Sequence, residues 1–253
     1  DDGRRDLAVA IANPPAGVRV LKGGPGGFAT GSFTSVSPAP RGIATADFDV
    51  DGKADVVLAL SDGSASSGTV QVLLGNALGA LVPGDSESVG LNVSAVAVGD
   101  FDGNGSPDVA VTTETNGEVR IYLGDGAGGL TPYASNPVRS GLSAPRALVA
   151  AELTGDGKVD LAVAASGGST VHVLRNLGGG AFGEIDSPTV GLNPSGIAEA
   201  DLDGDGKTDL VTADNGAARV SVLRGNVTGT FAAALSFTVG TSPNAVAIAD
   251  LGG

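Results

Sequence analysis

The sequence predicts an all-β protein built on a repeated unit, and three observations point that way. Short runs of Val, Ala, Ile and Leu are divided by Gly, Asn, Asp, Ser and Pro, the punctuation of strands and turns. A nonamer of the form D-x-D-x-D-G-x-x-D begins at 47, 100, 152 and 201, about fifty residues apart each time. Around every copy the same order of apolar runs returns. Four short strands in a repeat of that length is the pattern of propeller blades. The expectation is a single β-propeller domain over residues 1–253, with five repeats, each a four-stranded blade.

The elements follow one order. A small apolar strand enters the nonamer (42–46, 95–99, 147–151, 196–200 and 245–249), and a second leaves it (6–10, 55–59, 108–112, 160–164 and 209–213). Both are continuous apolar runs, as expected of strands covered on both faces. The third strand alternates apolar and polar residues (18–21, 70–73, 119–122, 171–174 and 220–223). A glycine-rich turn then leads to Phe28, Leu81, Leu130, Phe182 or Phe231 and a less regular fourth strand. In four repeats a proline (Pro40, Pro145, Pro194, Pro243) precedes the next entering strand. The chain opens on a second strand and closes on a first, so pairing of 246–249 with 7–10 would shut a five-bladed ring and remove an open edge.

The nonamers carry the chemistry. Hard cations such as Ca²⁺ take six to eight oxygen ligands, and carboxylates at positions 1, 3, 5 and 9 of a tight loop can converge, with a backbone carbonyl from position 7. The first loop offers Asp47, Asp49, Asp51, Lys53 (carbonyl) and Asp55, and the second Asp100, Asp102, Asn104, Ser106 and Asp108. The third offers Glu152, Thr154, Asp156, Lys158 and Asp160, and the fourth Asp201, Asp203, Asp205, Lys207 and Asp209. Position 12 carries no acid and both flanks are strands, which excludes an EF-hand. A fifth loop would be split between the termini, using Asp250, Asp2 and Asp6. About four bound Ca²⁺ are expected, five if the split loop binds. The third loop, with a longer first ligand and a neutral third, should bind weakest of the intact four.

These residues resemble the FG-GAP/VCBS repeat of bacterial extracellular proteins and of the integrin α-subunit propeller. The resemblance covers all five repeats and rests on the D-x-D-x-D-G-x-x-D-[LV] core. It implies that each loop joins the first two strands of a blade and binds Ca²⁺. The chain lacks Phe-Gly and Gly-Ala-Pro signatures, and its five repeats are fewer than the seven of an integrin ring, which places it nearer the bacterial type.

Charge and composition narrow the function classes. Of the 28 acidic residues, half lie in the four nonamers, so much of the formal charge of −14 belongs to the loops. Such a balance opposes binding to nucleic acid or anionic membrane. There is no cysteine, hence no disulfide and no thiolate site. No apolar run is long enough to span a membrane. Loops of this kind suit millimolar extracellular calcium, so a secreted or cell-surface protein of bacterial type is expected, any signal peptide having been removed before Asp1.

A catalytic constellation is not expected. His172 is the one histidine and falls on the polar side of an alternating strand, which favours a solvated or inter-blade role. The acids outside the loops share no placement, except that Glu199 replaces a small residue in an entering strand, where it would sit at a channel mouth. Aromatics are 4% with Trp absent; Phe28, Phe48, Phe101, Phe182 and Phe231 take recurring core positions, leaving Phe33, Tyr133 and Phe237. The leading expectation is a non-catalytic monomer: an extracellular binding or adhesion module for a protein or glycan ligand. A calcium-dependent lectin is the alternative, and a polysaccharide-active enzyme comes third.

Overall fold

The computed structural model describes residues 3–64 and 66–250. Strands β1 (Leu7–Ile11), β2 (Gly17–Gly24) and β3 (Gly27–Ser35) form the first sheet. The second comprises β4 (Pro40–Ala46), β5 (Asp55–Leu60), β6 (Thr69–Gly75) and β7 (Leu81–Ser88). The third comprises β8 (Val93–Gly99), β9 (Asp108–Thr113), β10 (Glu118–Gly124) and the short β11 (Leu130–Pro132). The fourth holds β12 (Pro145–Ala151), β13 (Asp160–Ala165), β14 (Thr170–Gly178) and β15 (Ala181–Asp186). The fifth holds β16 (Pro194–Ala200), β17 (Asp209–Asp214), β18 (Arg219–Leu223) and β19 (Leu235–Thr238). Every sheet is an antiparallel meander in chain order.

Register fixes the place of the nonamers. The last pair of each entering hairpin is Ala46 with Asp55, Gly99 with Asp108, Ala151 with Asp160 and Ala200 with Asp209. Position 9 of the motif is therefore the first residue of the second strand, and positions 1–8 are the hairpin loop.

The second strands β5, β9, β13 and β17 are buried along their whole length, as their unbroken apolar runs require. Third strands bury alternate residues, Val70 and Val72 in β6, Val119 and Ile121 in β10, Val171 and Val173 in β14. The entering strands depart from expectation: β4, β8, β12 and β16 are only partly covered. Their Gly and Ala side chains meet the neighbouring entering strands edge to edge rather than a full sheet face; a Cβ on Gly42 would lie 3.1 Å from the Val96 nitrogen.

The sheets pack face to face in sequence, with one apolar cluster in each seam. Val18, Val20, Leu58 and Leu73 join the first and second sheets. Phe48, Val57, Val96 and Tyr122 join the second and third. Phe101, Ile121, Leu161 and Leu174 join the third and fourth, and Leu153, Val173, Ile197 and Leu210 the fourth and fifth. Phe101 meets Phe182 edge to face at 5.5 Å.

Among the described residues the expected pairing of 246–249 with 7–10 is not formed. The first sheet has three strands, with β2 as the neighbour of β1, and residues 243–250 carry no strand. The segment at 243–246 instead lies against β16, where the Ser195 hydroxyl donates to the carbonyls of Pro243 and Asn244, both at 3.0 Å. It thus reaches the place of an entering strand, while Leu7 and Val9 of β1 stay exposed. Phe28 is also exposed, against its expected core position, because it sits at the tip of the first sheet, beyond the reach of the seam. Among the residues expected to be free, Phe33 lies under the Arg19 guanidinium at 4.7 Å and Tyr133 packs into the third–fourth seam.

Candidate metal centres and the opposite face

Position 9 is the anchor of each loop. One oxygen accepts the position-2 amide: Phe48 to Asp55 at 2.7 Å, Phe101 to Asp108 at 2.7 Å, Leu153 to Asp160 at 3.0 Å, Leu202 to Asp209 at 3.1 Å. The other oxygen accepts an amide from the end of the third strand, from Gly75, Gly124, Asn176 and Gly225 at 2.7–2.8 Å. Asp6 does the same for Gly23 at 2.8 Å. These carboxylates hold three strands at one point. The glycines are required there by close approach: a Cβ on Gly75, Gly124 or Gly225 would fall 2.1–2.3 Å from a carbonyl oxygen.

Position 1 folds the loop over itself. Asp47 accepts the amides of Asp51 and Gly52, Asp100 those of Gly103, Asn104 and Gly105, and Asp201 those of Gly204, Asp205 and Gly206. The position-6 glycines Gly52, Gly105, Gly157 and Gly206 all have φ near +80°, which a side chain resists.

In the loops at Asp47, Asp100 and Asp201 the structure brings positions 1, 3 and 9 together. One oxygen each from Asp47, Asp49 and Asp55 lies within 4.8 Å of the others, and the same holds for Asp100, Asp102, Asp108 and for Asp201, Asp203, Asp209. Position 5 does not join them, contrary to expectation. Asp51 and Asp205 turn to the ammonium groups of Lys53 and Lys207, which hold their carboxyls below the usual range. The Asn104 oxygen accepts the Ser106 amide at 2.6 Å.

The third loop forms no such triad. Thr154 supplies no carboxylate, and one Glu152 oxygen is taken by the amides of Thr154, Gly155 and Asp156. Asp156 is held by the Lys158 amide and by Arg175, which bring its pKa down to about 2. The Thr154 hydroxyl is buried without a hydrogen bond of good geometry. Of the split loop, Asp2 lies outside the described residues, Asp6 serves as an anchor, and Asp250 joins no carboxylate triad among the described residues.

The donor set of the three triads fits a hard cation. Three convergent carboxylate oxygens repel one another, and a divalent ion relieves that repulsion while taking only oxygen ligands. Desolvation, then the charges of Asp55 and Asp51, hold Asp49 above the usual carboxylate range. Burial pushes Asp108 up to about 6 against the pull of the Gly124 and Phe101 amides.

Several polar groups outside the loops are paired within the fold. His172 Nδ1 contacts Glu184, its Nε2 lies 3.1 Å from the Thr170 hydroxyl, and Arg139 from the third–fourth linker reaches Glu184 at 2.8 Å. The guanidinium neutralises the acid that would have to orient the imidazole, so this group clasps strands together. Asp214, fully buried and not foreseen as structural, accepts from Thr212, Ser221 and the Gly191 amide. Glu199 is exposed in β16.

At the far end of the entering strands, residues following the recurrent proline gather in one recess of about 300 Å³. Arg41, Ser94, Arg146, Ser195 and Asn244 occupy the same register position in successive repeats and all line it. Their sequence signal, the residue after Pro40, Pro145, Pro194 and Pro243, is legible only once the strands are placed side by side.

The family model described as FG-GAP-like repeat matches residues 47–111, 100–163, 152–212 and 201–253. No curated relative matches the chain. Among solved structures, a functionally unknown protein from Desulfotomaculum acetoxidans is similar with a TM-score of 0.69 at 13% identity, covering 94% of this chain and 68% of that one. An Agrocybe aegerita lectin that recognises non-reducing terminal N-acetylglucosamine is similar with a TM-score of 0.56 at 22% identity, covering 92% of this chain and 63% of that one. A β-fructofuranosidase from Schwanniomyces occidentalis gives 0.52 at 13% identity, covering 78% of this chain and 46% of that one. The chain thus spans less than two thirds of the lectin's length, and these identities speak for the fold alone.

Proposed function

The chain belongs to the FG-GAP-like repeat family, and from that premise we propose that it is a calcium-stabilised, non-catalytic binding module of the cell exterior, one domain acting as a monomer on a protein or glycan ligand. The observation that carries this reading is the threefold recurrence of the position 1, 3, 9 carboxylate triad at the hairpin loops, with every triad tied by its anchor to the end of the third strand. Ca²⁺ held by Asp47, Asp49 and Asp55, by Asp100, Asp102 and Asp108, and by Asp201, Asp203 and Asp209 would supply charge neutralisation and a cross-link between strands. The loops remain shaped surfaces, and no nucleophile, base and oxyanion donors meet at one place among the described residues. Among the described residues no helix is long and apolar enough to cross a membrane.

A lectin is the second reading, favoured by the Agrocybe aegerita neighbour. A glycan array probed with and without calcium, run beside a pull-down against extracellular proteins, tests both. Binding in either arm supports the module; polysaccharide turnover would replace it with an enzyme.

A further inference from the structure

The recess at the start of the entering strands lies roughly 20 Å from the calcium loops, the rise of a seven-residue strand. Its charge runs against that of the molecule. The whole chain carries −14, yet the recess gathers two guanidiniums, Arg41 and Arg146, and one carboxylate, Glu114. Arg146 Nη2 meets Glu114 at 2.8 Å, which leaves most of its five donors directed elsewhere. Among the described residues Arg41 has no carboxylate within ion-pair distance, and its guanidinium makes one hydrogen bond, from Nε to the Ser61 carbonyl at a long 3.4 Å.

The walls supply the complementary acceptors. Ser94 donates its proton to the Pro145 carbonyl at 2.7 Å and accepts from the Thr112 hydroxyl at 2.9 Å, and Ser195 donates toward the carbonyls of Pro243 and Asn244, so each hydroxyl oxygen keeps a lone pair to accept from a ligand. No aromatic ring lines the recess, so a ligand there is held by charge and hydrogen bonds without stacking. Its volume lies at the small end of ligand pockets, the size of one monosaccharide rather than an oligomer. A polyanion would meet the repulsion of the surrounding acidic surface. A single charge inside the recess is screened from that surface within about 8 Å at physiological salt.

We propose that this recess binds one acidic monosaccharide unit, its carboxylate received by Arg41 and Arg146 and its hydroxyls by Ser94 and Ser195. The inference rests on the binding-module reading and names the ligand chemistry for it. Paired guanidinium donors match a carboxylate in geometry as well as charge. Glu114 holds Arg146 in place and limits the net charge of the pocket.

Calorimetric titration of the whole chain in millimolar calcium, at fixed ionic strength, with glucuronate, glucose and acetate is the test. Glucuronate should bind about tenfold or more tightly than either glucose or acetate. Arg41→Gln, a change at an exposed side chain, should remove about tenfold of that affinity without moving the melting temperature. Lys22→Gln, in the first sheet, should leave it unchanged. Equal affinity for glucose and glucuronate, or an unaffected Arg41→Gln protein, overturns the proposal, and acetate binding as tightly as glucuronate overturns the sugar. Array binding to neutral glycans that survives Arg41→Gln would also overturn it, while leaving the module reading standing.

Discussion

The third sheet and the fifth are built from nearly the same sequence pattern but sit in different surroundings. In the third, Phe101 at position 2 is fully buried against Phe182 of the next sheet. In the fifth, Leu202 at the same position is exposed, and so are Leu235, Phe237 and Val239 at the outer edge. The β9 and β17 strands are equally buried in both. What differs is cover from the following sheet. A blade's own hydrogen bonds set its shape, whereas its apolar face is stabilised only by a neighbour, as in any repeat architecture.

The sharpest way to break this comparison is to truncate position 2 in both sheets. Phe101→Ala should cost about 3–5 kcal/mol by urea denaturation, and Leu202→Ala less than about 1 kcal/mol. Equal losses would mean that the fifth sheet is covered in solution. Calcium removal comes next. EDTA should lower the melting temperature and calcium restore it, each site contributing about 2–3 kcal/mol at a hundredfold excess over its dissociation constant. Amide exchange should then rise more around the exposed Leu202 loop of the fifth sheet than around the buried Phe101 loop of the third. Within the loops, Asp49→Ala should reduce the calcium-dependent shift while Thr154→Ala leaves it unaltered.

The anchor residues give a smaller contrast. Asp160→Ala orphans two amides inside the fourth sheet, at about 1–3 kcal/mol each, while Asp6→Ala at the exposed first sheet should cost under about 1 kcal/mol. Because the third loop forms no triad, the Asp160→Ala loss should be the same in EDTA as in calcium. A gain in place of a loss is expected at Val50. Its φ of 56° is a left-handed conformation that the other three loops give to Gly103, Gly155 and Gly204. Val50→Gly should therefore raise stability by about 1 kcal/mol, read as a small upward shift of the urea midpoint.

Much of this was legible in the residues. Repeat length, four-strand order and the hairpin position of the nonamer follow from local spacing, and β5, β9, β13 and β17 are buried as their apolar runs imply. That the third loop would differ from the others was visible in Glu152 and Thr154, and it is the one intact loop without a carboxylate triad. Position 5 stands apart from the triads in the structure because Lys53 and Lys207, read from the sequence as carbonyl donors, hold Asp51 and Asp205 with their side chains. The double role of position 9 depends on amides some twenty residues away, and its signal was the recurrent Gly75, Gly124 and Gly225. Closure depended on where 243–250 settles against β16, a tertiary matter that repeat counting does not contain.

The anchor carboxylate has a consequence for how such chains grow. Each one satisfies its oxygens entirely within a stretch of about thirty residues, from the loop to the end of the third strand. An anchor that completes its own polar contacts strands no donor of its own when its repeat is duplicated or deleted whole. The architecture therefore tolerates changes of length in steps of one repeat, provided the new neighbours re-form the apolar seam and the hydrogen bonds that cross it, such as those from the Leu130 amide to Asp85 and from the Phe231 amide to Asp186.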